Sequence, residues 1–274
     1  MPIADCTRLS IHTITTKPWS LEQCLAGYQR AGVRGLTVWR QTIEAMGAKR
    51  AGQLIRASGL AVTALCRSGF FPARAAAERE QAIGDAKLAI SQAAEIGAPM
   101  VVLVCGALPG MPLAQARAQI RDGIAACEPC ARAHRVRLAI EPLHPLYAAD
   151  RSAVNTMRQA RRLCEEIGSP WVGIAVDVYH TWWDDSLEQE IAAAGAAGLL
   201  FGFHLCDWRV DTRHPLNDRG LMGEGCIDLP QIRGWMEAAG FAGWHEVEIF
   251  SDSHWARDQH AFLADIIAAY TARC

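Results

Sequence analysis

The chain has 274 residues, 51% hydrophobic and 20% charged. That composition excludes a disordered polymer, and the length is enough to bury a full core without covalent staples. Its 27 basic and 29 acidic residues leave a net charge of −2, which argues against a broad polyanion-gripping face and sets the expectation of no nucleic-acid partner.

Taken in chain order, short apolar, β-branched runs alternate with longer amphipathic stretches. The runs are residues 9–12, 35–39, 61–66, 100–105, 137–142, 172–178, 200–206 and 246–250. Their starts lie about 26 to 46 residues apart, room each time for a strand, a helix and two loops. Between the first two runs, Ser20-Leu21-Glu22-Gln23 has capping-box spacing and opens a helix that ends near Gly32. Residues 76–96 carry apolar side chains at helical spacing and close at Gly97. A helix over 150–167 closes at Gly168. Asp228 and Pro230 form the start signal for 231–239, stopped by Gly240.

Strands apolar on both faces, each followed by a helix, imply a parallel sheet covered by helices. Eight units in one chain predict a single α/β domain over residues 1–274, a (β/α)8 TIM barrel. The alternative is a doubly wound open sheet, but no Gly-x-Gly-x-x-Gly follows the first run and no phosphate-loop motif is present. The longest apolar runs, such as 99–105, are too short to span a bilayer, so no membrane association is expected. Met1 to Arg8 shows no basic region leading into an apolar block, so no signal peptide is read. Ten cysteines scattered through apolar segments then read as buried free thiols of a cytoplasmic protein. Cys127-Glu128-Pro129-Cys130 has redox or metal spacing but no second pair, and it is assigned no function.

In a barrel, chemistry sits at the C-terminal ends of the strands. The fifth run ends Ile140-Glu141-Pro142-Leu143-His144, and the sixth ends Asp177-Val178-Tyr179-His180. The seventh carries Phe203-His204-Leu205-Cys206-Asp207-Trp208-Arg209, and the eighth is Glu246-Val247-Glu248-Ile249-Phe250. Burying one such charge without a partner costs several kcal/mol. Glu141, Asp177, His204 and Glu248 side by side make sense around a cation. Three carboxylates and one imidazole suit Mn²⁺ best, with Mg²⁺, Co²⁺ and Zn²⁺ compatible.

On the set Ile140-Glu141-Pro142, Asp177-Val178-Tyr179-His180, Phe203-His204 and Val247-Glu248-Ile249-Phe250, the chain resembles the sugar phosphate isomerase/epimerase family of xylose isomerase-like barrels. That family includes ketose 3-epimerases, hydroxypyruvate isomerase, inosose dehydratase and endonuclease IV. The resemblance implies that Glu141, Asp177, His204 and Glu248 are the metal ligands and that His180, in Asp-x-x-His, contacts substrate. Arg209 falls one residue from a substrate-binding Arg of the epimerases, and Gly223-Glu224-Gly225 resembles the family's Gly-x-Gly loop. The extra histidines of endonuclease IV are missing, because the third run leads into Cys66-Arg67-Ser68-Gly69 and the fourth into Cys105-Gly106-Ala107-Leu108. After the seventh run, Asp211-Thr212-Arg213-His214 has the wrong spacing for that enzyme's Asp-x-His. The epimerases' further Glu, six residues after the fifth-run ligand, is replaced by Tyr147, so His144 or Tyr147 is a candidate for that contact.

These residues point to a metal-dependent isomerase or epimerase of a sugar or keto-polyol. Glu141 and Glu248 are the acid/base pair acting through a metal-bound enediolate, and His180, Arg209, His144 and Trp39 are substrate contacts. His180 is a candidate donor to a developing oxyanion, Asp207 a group that orients Arg209 or His204, and His12 a pocket-floor residue. Trp39, Trp182, Trp183 and Trp208 offer indole faces to a sugar. The alternative is a lyase, a dehydratase of inosose or 3-dehydroshikimate type. A catalytically inert barrel that binds a ligand or partner is a third reading, and a homo-oligomer is left open.

Overall fold

The computed structural model describes residues 6–274, so the segment up to Asp5 that was read for a leader lies outside the described residues. The chain runs β1 (Leu9–His12), α1 (Leu21–Arg30), β2 (Gly35–Trp39), α2 (Arg40–Ile43), α3 (Ala48–Ser58), β3 (Ala61–Gly69), α4 (Ala76–Ile96), β4 (Met100–Val104), α5 (Leu113–His134) and β5 (Arg137–Ile140). A 3₁₀ turn (Pro145–Tyr147) leads to α6 (Met157–Ile167), β6 (Val172–Asp177), α7 (Val178–Thr181), α8 (Leu187–Ala196), β7 (Leu200–Leu205), α9 (Leu229–Ala238), β8 (His245–Val247), α10 (Asp252–Trp255) and α11 (Gln259–Arg273). The eight strands are all parallel and close into a barrel in sequence order, with β8 pairing back onto β1. This is the predicted (β/α)8 barrel, and the open-sheet alternative is excluded by the closure.

Side chains alternate in and out along each strand, and that period sets both cores. Ile11, Leu36, Val38, Leu65, Val101, Leu138, Ile174, Val176, Phe203 and Val247 point outward into the layer shared with the helices. Each of these apolar side chains contributes about 1.5–3 kcal/mol on burial. The inward set is smaller and partly polar, a departure from the expectation of strands apolar on both faces. Ala64, Cys66, Met100, Val102, Ala139 and Ala175 form an apolar inner wall from β3 to β6. Across from them, Ser10, Thr37, Thr63 and Glu246 make a buried hydrogen-bonded floor. Glu246 Oε2 accepts from Thr37 Oγ1 at 2.6 Å and from Thr63 Oγ1 at 2.7 Å. A carboxylate is tolerated there because two hydroxyls satisfy it.

The helix signals act as expected at most ends. Ser20 Oγ accepts from Gln23 N while Gln23 Oε1 accepts from Ser20 N, the reciprocal box that opens α1. Asp228 accepts from Gln231 N at the start of α9, and Gly168 closes α6 in the left-handed region at φ 65°. The start of α6 differs. Thr156, not Asp150, is its cap, because Asn155 Nδ2 ties this loop to Leu143 O and Ser152 O and holds it irregular. β8 is also shorter than predicted: Ile249 N takes the Thr15 hydroxyl in place of a ladder carbonyl, and the chain leaves the sheet just as Glu248 reaches the barrel mouth. Cys127 and Cys130 both lie within α5 and form no metal-binding cluster among the described residues. None of the described helices is long and apolar enough to cross a membrane.

Candidate metal centre

Register brings the four expected ligands together. Asp177 pairs with His204 across β6 and β7, and His204 pairs with Glu246 across β7 and β8, which puts Glu248 one inward step higher. Glu141 follows β5 directly, its amide held by Leu103 O at 3.1 Å. One ligand atom from each of Glu141, Asp177, His204 and Glu248 lies within 4.8 Å of the others, and all four residues are buried. His204 Nδ1 approaches Glu141 Oε1 at 2.9 Å. That approach makes no hydrogen bond: Glu141 Oε1 and both ring nitrogens of His204 are buried polar atoms without a hydrogen-bond partner among the described residues. Buried groups of this kind are normally satisfied, and a cation taken up by Glu141 Oε1 and one His204 ring nitrogen would satisfy them. The donor chemistry, three carboxylates and an imidazole, fits a divalent ion. Two overlapping sets, His12-His204-Glu246 and His12-Cys66-Glu248, extend the cluster inward.

The cluster's electrostatics follow from burial. Burial pushes the Asp177 carboxyl up to about 7 despite the nearby Arg219 guanidinium. Burial alone would favour neutral His204, but Glu141, Glu246 and Glu248 outweigh it and lift the imidazole to about 10. Desolvation opposes ionisation of Glu248 too, yet His12 and Arg219 hold its carboxyl well below the usual range.

Arg219 is a residue of this cluster that sequence reasoning missed. It is buried, with its guanidinium between the rings of Tyr179 (4.4 Å) and Phe250 (5.0 Å). Nη1 donates to Glu248 Oε2 at 2.8 Å and to Asp177 Oδ2 at 3.1 Å. The available signal was its place immediately before the Gly220–Gly225 stretch in the loop after β7. Glu246 was also unassigned, although Glu246 and Glu248 two apart on one strand must share a face. Asp207 does not touch Arg209 or His204. It instead collects the amides of Trp208, Gly223, Gly225 and Ile227 at 2.8–3.0 Å, which folds the loop that delivers Arg219.

A pocket opens above the cluster, lined by residues that include Trp39, Arg67, Glu141, Tyr147, Arg151, His180, Arg219, Glu248 and Phe250. Of the four expected substrate contacts, His180 and Trp39 line it. His180 Nδ1 accepts from the His144 amide at 3.2 Å, and burial, then Arg219, push its pKa well below the imidazole norm. Trp39 Nε1 donates to His12 Nδ1 at 3.1 Å, and that nitrogen also lies 3.0 Å from Glu248 Oε1. Arg209 and His144 are not among the lining residues. Arg209 is engaged by Asp218, Glu224 and His254 outside the pocket, and the His144 ring stacks on Trp208 at 5.0 Å. Trp182, Trp183 and Trp208 also lie outside the lining, Trp208 stacked on Tyr179 at 4.6 Å. The Tyr147 ring lines the pocket, but its hydroxyl donates to Pro215 O at 2.6 Å.

A closed parallel barrel with carboxylates and an imidazole gathered at its C-terminal mouth defines a class. The family model of the xylose isomerase-like TIM barrel matches residues 25–266, and the chain belongs to that family. Among solved structures, protein SMc04130 from Sinorhizobium meliloti 1021 is 46% identical with a TM-score of 0.95, the match covering 98% of this chain and 99% of that one. The IOLI protein, solved with a binding zinc atom, is 18% identical at TM-score 0.83, covering 97% of this chain and 100% of that one. The 3-keto-D-glucoside 4-epimerase YcjR from E. coli is 20% identical at TM-score 0.74, covering 92% and 94%. No protein of curated function matches the chain.

Proposed function

We propose that this protein is a divalent-metal-dependent isomerase or epimerase of a sugar or keto-polyol. The observation that carries the reading is the buried convergence of Glu141, Asp177, His204 and Glu248 on one point, with Glu141 Oε1 and the His204 ring nitrogens without a hydrogen-bond partner among the described residues. These four residues would hold the ion. Mn²⁺ suits the oxygen-rich set best, and the zinc in the IOLI structure supports a divalent ion in this fold. When bound, such an ion polarises a carbonyl and makes the neighbouring C–H acidic.

The rest of the chemistry belongs to the chain's own side chains. Glu141 after β5 and Glu248 after β8 both line the pocket, so one takes a proton from the carbon beside the carbonyl and the other returns it. Return to the opposite face gives an epimer, and return to the next carbon an aldose–ketose isomer. His12 and Arg219, which donates to the Glu248 carboxylate, keep it ionised, the form that can accept a proton. His180 and the Trp39 indole face contribute the polar and flat walls that orient a polyol.

Proton NMR in D₂O tests the proposal, using protein purified without chelator and a panel of keto-sugars and inososes. The expected result is about one metal ion per chain and deuterium uptake at a single carbon next to the carbonyl, without loss of water. Glu141→Gln and Glu248→Gln should each slow that exchange by roughly 10²- to 10⁴-fold. Unchanged turnover in both variants would overturn the acid/base assignment. Appearance of an enone or diketone in place of exchange would assign the dehydratase reaction.

A further inference from the structure

Above the carboxylate cluster, two guanidinium groups share one wall of the pocket. Arg67 comes from the end of β3 and Arg151 from the loop after β5, and both line the cavity that reaches Glu141 and Glu248. Arg67 lies 4.7 Å from the ring centre of Phe70 and 5.9 Å from that of Trp39, so its head is steered by two aromatic faces. Among the described residues those rings are its structural contacts; no acceptor or carboxylate is within hydrogen-bond or ion-pair distance of it. Arg151 sits over Tyr147 at 5.5 Å, and its nearest carboxylate contact is Asp150 at 4.0 Å, the limit of an ion pair. Every other arginine at this mouth is matched: Arg219 by Asp177 and Glu248, and Arg209 by Asp218 and Glu224.

An arginine brings five N–H donors in a fixed fork that fits carboxylate or phosphate oxygens. Arg67 has no hydrogen-bonded or ion-paired acceptor among the described residues, Arg151 has only Asp150 at 4.0 Å, and the Glu141 and Glu248 carboxylates act on Arg67 only at longer range, so the two half-buried forks keep donors to spare and repel each other. Burial, then the Arg151 charge, lowers the pKa of Arg67. A neutral polyol would not need this arrangement, since hydroxyls are served by neutral donors. An anion would turn the repulsion into attraction.

We infer that the substrate carries an anionic group, a carboxylate or a phosphate ester, which Arg67 and Arg151 grip together while its keto-polyol end faces Glu141 and Glu248. The inference rests on the reading that this pocket receives the keto-polyol, and it narrows that class to acid sugars, keto acids of similar size, or sugar phosphates.

Calorimetric titration of the full-length, Mn²⁺-reconstituted protein tests it with D-fructose, D-fructuronate and D-fructose 6-phosphate. The three share a keto-polyol end and differ at carbon 6. At least one anionic ligand should bind tenfold or more tightly than D-fructose. Preference for D-fructuronate assigns a carboxylate, and preference for the phosphate ester assigns a phosphate. Arg67→Met and Arg151→Met should each reduce that preference by roughly 10- to 100-fold, the loss of a charge-assisted pair, and Arg67→Lys should keep most of it. Equal binding of all three ligands, tightest binding of D-fructose, no binding of any of them, or an undiminished anion preference in the double Met variant would each overturn the inference. Because the readout is binding, anion preference without deuterium exchange would sink the proposed reaction and leave this inference standing. Exchange confined to neutral ketoses would do the reverse.

Discussion

Arg219 is where the electrostatics of the barrel mouth are most exposed to test. Its Nη1 stands 2.8 Å from Glu248 Oε2 and 3.1 Å from Asp177 Oδ2, with all three side chains buried. At an effective dielectric near 20, each contact carries about 5–6 kcal/mol of Coulomb attraction, much of it offset by the cost of desolvating the guanidinium. Arg219→Met keeps the packing between Tyr179 and Phe250 but leaves two buried carboxylates facing each other without a cation. Breaking a buried pair from one side costs about 3–5 kcal/mol. Chelator-treated Arg219→Met should therefore unfold roughly 6–15 °C below chelator-treated wild type in scanning calorimetry. Saturating Mn²⁺ should narrow that gap, because a divalent ion among Glu141, Asp177, His204 and Glu248 neutralises the same charges. Arg219→Lys should sit between the two, with the charge retained and the fork lost. A loss under about 1 kcal/mol without metal, or a gap that Mn²⁺ leaves unchanged, would refute the idea that guanidinium and metal answer the same buried charge.

Two further expectations concern the surroundings of the site. A Cβ on Gly225 would meet Trp208 O at 2.0 Å and Asp207 Oδ1 at 2.5 Å, both fixed by the amide cluster of Asp207. Gly225→Ala should cost about 1–3 kcal/mol by denaturant titration and weaken ligand binding through displaced Arg219, whereas Gly234→Ala, with open space around it, should leave binding unchanged. His245 is buried on β8 with Nδ1 2.9 Å from the Tyr270 hydroxyl, and burial with the charges of Arg8 and Arg233 lowers its pKa to about 3. The unfolded chain, with an ordinary imidazole, binds the proton first, so stability falls as pH drops from about 6.5 toward 3, by at most about 1.4 kcal/mol per pH unit. Urea midpoints of His245→Gln at pH 7 and pH 4 should show a shallower acid loss than wild type, and parallel losses would show that His245 does not carry it.

The period of apolar runs, their spacing and their β-branched content made a parallel barrel of eight strands legible from the chain alone, since a strand buried outward must be covered by a helix. The four acidic and imidazole side chains were legible for the same reason: a charge ending an apolar run needs a partner, and four consecutive runs ended that way. What lay beyond reach was whatever comes from a loop. Arg219 is separated from Asp177 and Glu248 by 42 and 29 residues, and only the fold of the Asp207-anchored loop brings it between them. Arg209, one position from the family's expected arginine, was assigned by proximity in sequence, and its partners Asp218 and Glu224 hold it outside the pocket. Arg67 and Arg151 likewise share one cavity only because β3 and the loop after β5 both face it. Strand periodicity is a local property that each segment carries by itself. Which loop side chain faces the pocket is decided by long-range closure, when hydrogen bonds and ion pairs between distant segments choose among conformations that the local sequence leaves equally open.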